Sequence, residues 1–248
     1  MPVDVPARWV EQLPWDEVGR RLAAGAPALL PVGAGAKEHG LHLPMGTDQM
    51  QARWLAERLA GELDGLVWPT LAYGHYPAFT AYAGSLSLMP ATFGAVVEEI
   101  VVGLLQHGAA RVLVVDVGIS SIPVIAAALA RLPEADRRRV RHLTAYSGPR
   151  LDLARQRLSE QASRGGHADE IETSIMLALA SSSVALGRVP ERSGLGDTDE
   201  PGPLQPNEPH AVNYSPSGAT GEPGLATVAK GEALLEAMLA DLLAAARA

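Results

Sequence analysis

Ala28-Leu29-Leu30-Pro31-Val32-Gly33 is an apolar run, and after three further residues it is followed by the polar segment Lys37-Glu38-His39-Gly40-Leu41-His42-Leu43-Pro44-Met45-Gly46-Thr47-Asp48. The apolar run predicts a buried β-strand that ends at a glycine. The polar segment then brings two histidines and two carboxylates to the strand end, where an open α/β sheet places its functional site. Imidazole and carboxylate groups bind borderline divalent metals such as zinc and manganese. Taken alone, the segment is either a metal-binding loop or a polar surface loop with two incidental histidines.

The whole chain alternates between strand and helix patterns. Apolar runs predict strands at 28–32, 66–68, 111–116, 141–146 and 182–186. Periodic apolar residues predict helices at 8–25, 48–62, 90–107, 121–132, 149–163 and 168–180. Asp48 would lie at or near the N-cap of the second of these helices. Strands that alternate with helices indicate an α/β fold, a three-layer α/β/α arrangement with a mostly parallel central sheet.

A single domain is predicted over residues 1–248, because this length is sufficient to bury a sizeable core. Residues 187–224 are rich in small and polar residues and predict a long irregular loop. Within this loop, residues 213–223 have the composition of a turn that closes over a substrate as a lid. A helix at about 225–247 follows, and its apolar stripe either packs on the body of the fold or forms a subunit contact. The stripe consists of Leu234, Leu235, Met238, Leu239, Leu242 and Leu243.

Composition and charge exclude several classes of protein. The 248 residues carry a net charge of −8 and include no cysteine, which excludes disulfides, thiolate metal sites and cysteine nucleophiles. Basic residues cluster only at 137–139, so we expect no nucleic-acid partner and interpret this run as a solvated turn. The sequence has neither a secretory signal pattern nor an apolar run of the roughly 20 residues that span a bilayer. We therefore expect a cytoplasmic protein with no membrane partner.

Two motifs, in the same order and at a similar separation, resemble those of the creatininase family of metal-dependent amidohydrolases. The first consists of Pro31-Val32-Gly33, His39-Gly40-Leu41-His42-Leu43-Pro44 and Thr47-Asp48, and the second is His167-Ala168-Asp169-Glu170-Ile171-Glu172-Thr173-Ser174. Between them, Tyr73-Gly74 and Gly84-Ser85-Leu86-Ser87-Leu88 resemble the family's Tyr-Gly and Gly-Thr-Ile-Ser-Leu segments. The resemblance extends from about residue 28 to about residue 180 and implies a creatininase-like fold.

The resemblance implies a metal site in the first motif. In the family, a Glu and a His of this motif bind metal and its closing Asp bridges two ions; here His39 and Asp48 match the His and the Asp. The family usually reads Glu-x-His-Gly, whereas here Glu38 directly precedes His39 and Lys37 stands at the Glu position. Glu38 is the predicted ligand, brought into place by a bulge; the alternative is that it faces away while Lys37 points its ammonium at the site. The cofactor would be zinc or manganese, with iron as a further alternative, at one or two ions per chain.

A second difference from the family follows the predicted strand at 111–116. The family carries Asn-Gly-His-Gly-Gly-Asn or a variant there, whose His binds a metal, and creatininase itself supplies a further Glu ligand. Here the stretch is Asp116-Val117-Gly118-Ile119-Ser120-Ser121, so Gly118 replaces the His and no Glu follows. Both ions of a family-type pair would lose a protein ligand. Asp116 is predicted as the replacement ligand; the alternative is that it caps the following helix.

The second motif carries the predicted catalytic residues. His167 matches the family's catalytic or substrate-binding histidine and would pass a proton to the leaving nitrogen. Glu172 matches the family Glu near the metal ligands, where it would orient His167 or bind substrate. The intervening Asp169 and Glu170 are interpreted as solvated acids at a helix start.

These assignments predict an enzyme that cuts a C–N bond in a small cyclic amide, lactam or formamide with metal-activated water. His42, Tyr73 and His75 are the predicted substrate-binding residues, and His75 is also a candidate replacement ligand for the metal. Because Gly118 replaces the usual His, two alternatives stay open: a non-catalytic member that binds a ligand or partner in the old pocket, and a single-metal enzyme of altered chemistry. The resemblance also implies a homo-oligomer, often a hexamer.

Overall fold

A parallel sheet forms the centre of the molecule. The computed structural model describes residues 8–162, 166–190 and 203–248. Across these residues the sheet has four strands in the order β2-β1-β3-β4, and every neighbouring pair is parallel. The strands are β1 (Ala28–Val32), β2 (Leu66–Val67), β3 (Val112–Asp116) and β4 (Val140–Thr144). The carboxyl ends of the two central strands, β1 and β3, therefore lie side by side, with Val32 opposite Asp116.

Helices cover both faces of this sheet, as the sequence predicts. They are α1 (Trp15–Ala23), α2 (Thr47–Leu63), α3 (Pro90–Gln106), α4 (Ile122–Ala130), α5 (Glu134–Arg137), α6 (Pro149–Leu158), α7 (Glu170–Ala180) and α8 (Val228–Arg247). Successive side chains of a strand point to opposite faces. Thus Leu29 and Leu113 pack with α2, α6, α7 and α8, whereas Leu30 and Val114 pack with α1, α3 and α4. The predicted three-layer α/β/α arrangement is confirmed.

Pro31 lies in a central strand, a position where the missing N–H usually costs a ladder hydrogen bond. The partner on its outer side is not β2 itself, which pairs only with Ala28 and Leu29. The Pro31 carbonyl accepts from the Leu71 amide at 2.9 Å, and the Leu71 carbonyl accepts from the Gly33 amide at 3.2 Å. The chain after β2 thus continues the pairing by a bridge at Leu71. This bridge uses the carbonyl of Pro31 and the amide of Gly33, so the missing N–H of Pro31 does not interrupt it.

Some predicted elements are wrong or displaced. The strand predicted at 182–186 is absent from the described residues, which instead form 3-10 turns at Ser181–Ser183 and Leu186–Arg188. The helix predicted at 8–25 begins only at Trp15, after a 3-10 turn at Val10–Gln12. The helix predicted at 149–163 ends at Leu158. The apolar stripe of α8 packs on the body of the fold, where Leu234, Leu235, Met238 and Leu242 are buried and Leu239 and Leu243 are partly buried.

The interpretation of Asp169 and Glu170 as solvated acids is also wrong, because both side chains are buried. Asp169 is the N-cap of α7 and accepts from the amides of Ile171 and Glu172. Glu170 is fully buried and pairs with Lys230 of α8, with 2.6 Å between Oε1 and Nζ. Because both acids have partners inside the protein, they fix the start of α7 instead of facing solvent.

The described part of the predicted 187–224 loop is irregular and packs against the start of α7. Residues 191–202 of this prediction lie outside the described residues. Thr220 exchanges hydrogen bonds with the backbone of His167, and the Tyr82 hydroxyl donates to the Ser215 carbonyl at 2.6 Å. This part of the loop therefore holds the second motif in place from one side.

Candidate metal centre

The two sequence motifs meet at the carboxyl ends of β1 and β3. The loop after β1 carries Lys37, Glu38 and His39, the first turn of α2 carries Asp48, and the segment that enters α7 carries His167. Each of these five side chains is buried. Parallel strands end at the same edge of a sheet, so residues that are far apart in the chain come together there.

His39 is held by a hydrogen bond on one side of its ring. Nδ1 lies 3.0 Å from the Lys37 carbonyl, which can only accept, so Nδ1 carries the hydrogen. Nε2 lies 2.9 Å from Oδ1 of Asp48 and 4.0 Å from Oε1 of Glu172. A bare ring nitrogen and a carboxylate oxygen repel each other. Nε2 of His39 therefore requires a cation between itself and these two carboxylates, either a proton or a metal ion. Fixing Nδ1 on a carbonyl is the usual way in which proteins orient a metal-binding histidine.

His167 is oriented in a similar manner, by a carboxylate. Its Nε2 lies 2.9 Å from Oε2 of Glu38, and its Nδ1 lies 3.7 Å from Oε2 of Glu172. The ring also lies against Phe79, with 4.3 Å between ring centroids. The second nitrogen of His167 therefore faces Glu172, as does the second nitrogen of His39.

Glu172 lies between the two histidines in the first turn of α7. Its Oε2 accepts from the Ala168 amide at 2.6 Å, and its Oε1 is 3.5 Å from the Tyr146 hydroxyl. Burial raises the pKa of the Glu172 carboxyl, an effect that outweighs the attraction of the nearby His167 and Lys37. A buried carboxylate of this kind is stabilised by a nearby cation.

His39, His167 and Glu172 form a group that could hold a metal ion. One ligand atom from each lies within 4.8 Å of the other two, and all three residues are buried. Two imidazoles and a carboxylate are the donor set of many three-ligand zinc sites. The Lys37 carbonyl holds Nδ1 of His39, and Glu38 holds Nε2 of His167. The other nitrogen of each ring faces Glu172, so the residues present fit a divalent ion.

Lys37 and Glu38 both point inward, which neither sequence alternative predicts. Nζ of Lys37 lies 2.7 Å from Oδ2 of Asp48, whereas Glu38 turns to His167 and to the Gly40 amide. Burial alone would raise the pKa of Asp48, but the charge of Lys37 and the contact with His39 hold it well below its usual range. Glu38 thus lies behind His167, outside the group of three, and its assignment as a metal ligand stays a prediction.

Asp116 is engaged elsewhere. Its Oδ1 accepts from the Gly118 amide at 3.0 Å and from the Ser121 hydroxyl at 2.7 Å, and its Oδ2 lies 3.0 Å from Nε2 of His142. These contacts use both oxygens and shape the turn after β3. Asp116 therefore lies outside the group of three, and its side chain does not cap α4 directly.

The three predicted substrate-binding residues are not among those that line the adjoining cavity. Tyr73 is 53 % exposed, Nδ1 of His75 contacts the Leu88 carbonyl at 2.9 Å, and His42 is buried beside Thr173, at 2.8 Å from its hydroxyl. Neighbouring residues of an extended segment face opposite sides. As a result Tyr76, one residue after His75, points into the cavity.

A cavity of about 330 Å³ opens beside the group of three, a size that accommodates a small organic molecule. Its wall includes Lys37, Asp48, His167 and Glu172 together with residues that sequence reasoning missed: Tyr76, Phe79, Tyr146 and Arg155. The signal for Tyr76 was its place just after the Tyr-Gly-His segment. Nothing in the sequence pattern marks Tyr146 or Arg155, because their proximity depends on the packing of α6.

Comparison with known proteins agrees with this geometry. The sequence model of the creatininase family, described as creatinine amidohydrolase, matches residues 11–246. The chain belongs to the creatininase family. The creatinine amidohydrolase of Pseudomonas putida is 34% identical over 114 residues, a match that spans 44% of this chain and 44% of that protein.

Solved creatininases share the fold over nearly the whole chain. A structure described as creatininase Mn is 27% identical, has a TM-score of 0.80 and is covered over 98% of both chains. A creatininase variant of the Zn-Zn type is 28% identical with a TM-score of 0.81 over the same coverage. Two creatininase structures are therefore described with manganese or with zinc. In the described part of this chain, no helix is sufficiently long and apolar to cross a membrane.

Proposed function

We propose that this protein is a metal-dependent hydrolase that cleaves a C–N bond in a small amide, lactam or formamide. The observation that carries the proposal is the buried group of His39, His167 and Glu172, of which His167 and Glu172 line the cavity. Membership of the creatininase family supports the same reaction class, because the family model and the relatives are described as creatinine amidohydrolases. Zinc and manganese are the proposed metals, since creatininase structures are described with each.

His39, His167 and Glu172 would hold the ion. When bound, a divalent ion supplies Lewis-acid activation of water and of the scissile carbonyl. The protein positions the ligands: Lys37 O fixes His39, Glu38 fixes His167, and the Ala168 amide fixes Glu172. This arrangement gives His167 a ligand role in place of the proton-transfer role predicted from the sequence.

The cavity wall supports a small, partly apolar substrate. Phe79 packs against His167, and Tyr76 lines the same cavity, so aromatic surfaces would exclude water from the reacting bond. A cavity of about 330 Å³ suits a compact ring or a short formamide and excludes a folded polypeptide. Creatinine belongs to this class, although the family's usual ligand-bearing turn is replaced at Gly118.

A second candidate is a binding protein without turnover, and the observation that favours it is the loss of family ligands at Lys37 and Gly118. In such a protein two side-chain pairs, Lys37 with Asp48 and His167 with Glu38, would persist with no metal bound. The two candidates differ in metal content and in turnover. A hydrolase requires bound metal, whereas a binding protein of this kind does not.

The test combines metal analysis with turnover. Purified protein is loaded with zinc or manganese, its metal content is measured by plasma mass spectrometry, and hydrolysis is assayed on a panel of lactams, cyclic amides and formamides. We expect metal and turnover in the wild type, and loss of both in His39→Ala and His167→Ala. His107→Ala is the matched control, because His107 is exposed at the end of α3.

Each other outcome has a clear meaning. A wild type that binds no metal under metal-replete conditions and turns over no member of the panel would support the binding-protein candidate. Full metal content with lost turnover in His167→Ala would return His167 to the proton-transfer role.

We also infer from family membership that the chain forms a homo-oligomer, with a hexamer as the expected state. Sedimentation at micromolar concentration tests this inference.

A further inference from the structure

We propose that the ammonium group of Lys37 takes the place of one metal ion of the family's two-ion site, so that this chain holds one divalent ion. The inference rests on the proposed function, because it concerns the same site. It starts from a difference in sequence: the family resemblance puts a metal-binding Glu where this chain has Lys37. A ligand that attracts a cation is thus replaced by a residue that is itself a cation.

Lys37 lies among groups that attract a cation. Its Nζ lies 2.7 Å from Oδ2 of Asp48, 4.7 Å from the ring centre of Phe79 and 5.6 Å from that of Tyr76. The side chain is only 9% exposed and that of Asp48 is 2% exposed. A carboxylate oxygen and aromatic faces within this range each attract an ammonium ion.

The two oxygens of Asp48 face two different groups, as those of a bridging carboxylate do. Its Oδ2 contacts Lys37, while its Oδ1 lies 2.9 Å from Nε2 of His39. In the family the corresponding Asp bridges two ions. Here one oxygen faces a fixed ammonium, and the other faces the histidine that belongs to the metal-binding group. One side of the bridge is therefore filled by the protein itself.

The ligands that a second ion would need are absent from the turn after β3. At Gly118, a Cβ atom would lie 2.5 Å from the Ser121 hydroxyl and 3.0 Å from the Tyr76 ring, so no imidazole fits there without moving both. Asp116 is already bonded to Gly118, Ser121 and His142. Within the described ranges, a single group of His and acidic side chains is close enough to hold an ion, namely His39 with His167 and Glu172.

The charge balance leads to the same number of ions. Three buried carboxylates, on Glu38, Asp48 and Glu172, face His39 or His167, and one ammonium, on Lys37, faces Asp48. With neutral imidazoles, two negative charges remain, and one divalent ion neutralises them. A second ion would leave an excess of two positive charges in a buried site, which is strongly unfavourable.

The experiment counts ions without relying on activity. The wild type is titrated with zinc by calorimetry and analysed by plasma mass spectrometry after gel filtration, and the manganese form is examined by electron paramagnetic resonance. We expect one zinc per chain and the hyperfine pattern of an isolated manganese ion. Lys37→Glu, which restores the family residue, is expected to bind a second, weaker ion. Lys37→Arg should stay at one ion, and Arg157→Glu is a matched charge-reversal control on the exposed face of α6.

Two zinc ions in the wild type, or an exchange-coupled manganese spectrum, would overturn this inference and leave the proposed function intact. No ion in the wild type would overturn both. If Lys37→Glu folds and remains at one ion, Lys37 is not the occupant of the second position. If that variant fails to fold, the spectrum of the manganese-loaded wild type still decides the ion count.

Discussion

Among single residues, the buried histidines His39, His167 and His42 differ in what surrounds one of their two ring nitrogens. His39 and His167 each present a nitrogen to Glu172, whereas His42 does not reach the cavity. Nε2 of His42 lies 2.8 Å from the Thr173 hydroxyl, and its Nδ1 has no hydrogen-bond partner among the described residues. Burial lowers the pKa of His42 to about 4, so the ring is neutral at physiological pH.

The depressed pKa of His42 predicts a loss of stability in mild acid. In the unfolded chain this histidine gains a proton near pH 6.5, whereas in the folded protein it stays neutral down to about pH 4. Protonation therefore favours the unfolded state, and the free energy of unfolding falls as the pH drops through this window, by up to about 3 kcal/mol. We expect His42→Gln to lack this part of the pH dependence in urea unfolding at pH 7 and pH 5.

His107→Gln serves as the control, because it makes the same substitution at an exposed histidine. The same slope in wild type and His42→Gln would show that another group causes the loss.

The sequence predicts much of the site at this scale but not the direction of each side chain. His39, Asp48, His167 and Glu172 come together as the two motifs predict. The orientation of Lys37 and Glu38 was not predictable, because both lie in an irregular loop whose backbone depends on contacts such as that between the Glu38 amide and Ser85. The same holds for Tyr76, which enters the cavity in place of His75.

At the scale of elements, the start of α6 is capped by a residue from another helix. Asp241 of α8 is buried, and its Oδ2 accepts from the amides of Arg150 and Leu151 at 3.0 and 2.9 Å. Its Oδ1 contacts Nη1 of Arg150 at 3.1 Å. Gly148, with φ of 149°, leaves the space that the Asp241 carboxylate fills. One carboxylate of α8 thus joins this helix to the start of α6.

Removing this cap should destabilise the protein markedly. In Asp241→Ala, two amides of the first turn of α6, of which the Leu151 amide is buried, lose their acceptor, which costs roughly 2–3 kcal/mol. Asp241→Asn keeps one acceptor oxygen and should lose less. Urea unfolding measures both, with Asp152→Ala as a control, because the Asp152 side chain is 62% exposed. Equal midpoints for Asp241→Ala and Asp152→Ala would contradict the capping role.

Elements with a strong local pattern are predictable from the sequence, and those that depend on distant partners are not. Strands β1 and β3 are continuous apolar runs, and both were predicted within one residue. The segment 182–186 is also apolar in part, but a strand needs a neighbour, and here the Ala185 amide bonds to the His42 carbonyl at 2.8 Å. The burial of Asp169 and Glu170 likewise depends on contacts that no local pattern shows.

At the scale of the whole molecule, one buried ion pair joins the second motif to the C-terminal helix. Glu170 accepts from Nζ of Lys230 at 2.6 Å, from the Gln161 amide at 2.8 Å and from the Ser159 hydroxyl at 3.0 Å. Burial alone would raise the pKa of Glu170, but these hydrogen bonds hold it below its usual value. Helices α6, α7 and α8 therefore meet at one carboxylate.

This ion pair predicts how acid affects the whole fold. A carboxyl whose pKa is lowered on folding stabilises the protein above its unfolded pKa, and this stabilisation is lost as the pH falls below about 4.5. Glu170→Gln should therefore be less stable than the wild type at pH 7, and the difference should shrink at pH 3. Thermal unfolding at the two pH values measures it, with Glu62→Gln as an exposed control. A difference that does not change with pH would contradict the prediction.

The family and the layered architecture were predictable from the whole sequence, whereas the cavity was not. Two motifs in order identify the family, and alternating elements predict the three layers. The cavity wall, however, combines residues from the loop after β1, from 3-10 turn Pro77–Phe79 and from α6. Its shape depends on how these segments pack, and so the substrate cannot be read from any one of them.

The hydrogen bond between Glu38 and His167 joins residues 129 positions apart. Closing so long a loop is entropically costly and slow, and a parallel sheet, whose partners are all distant, adds to that delay. We therefore expect the ligands to come together only once the sheet that positions them has formed. We expect the chain to fold first and to collect its ion afterwards, unlike small zinc domains, which fold around theirs.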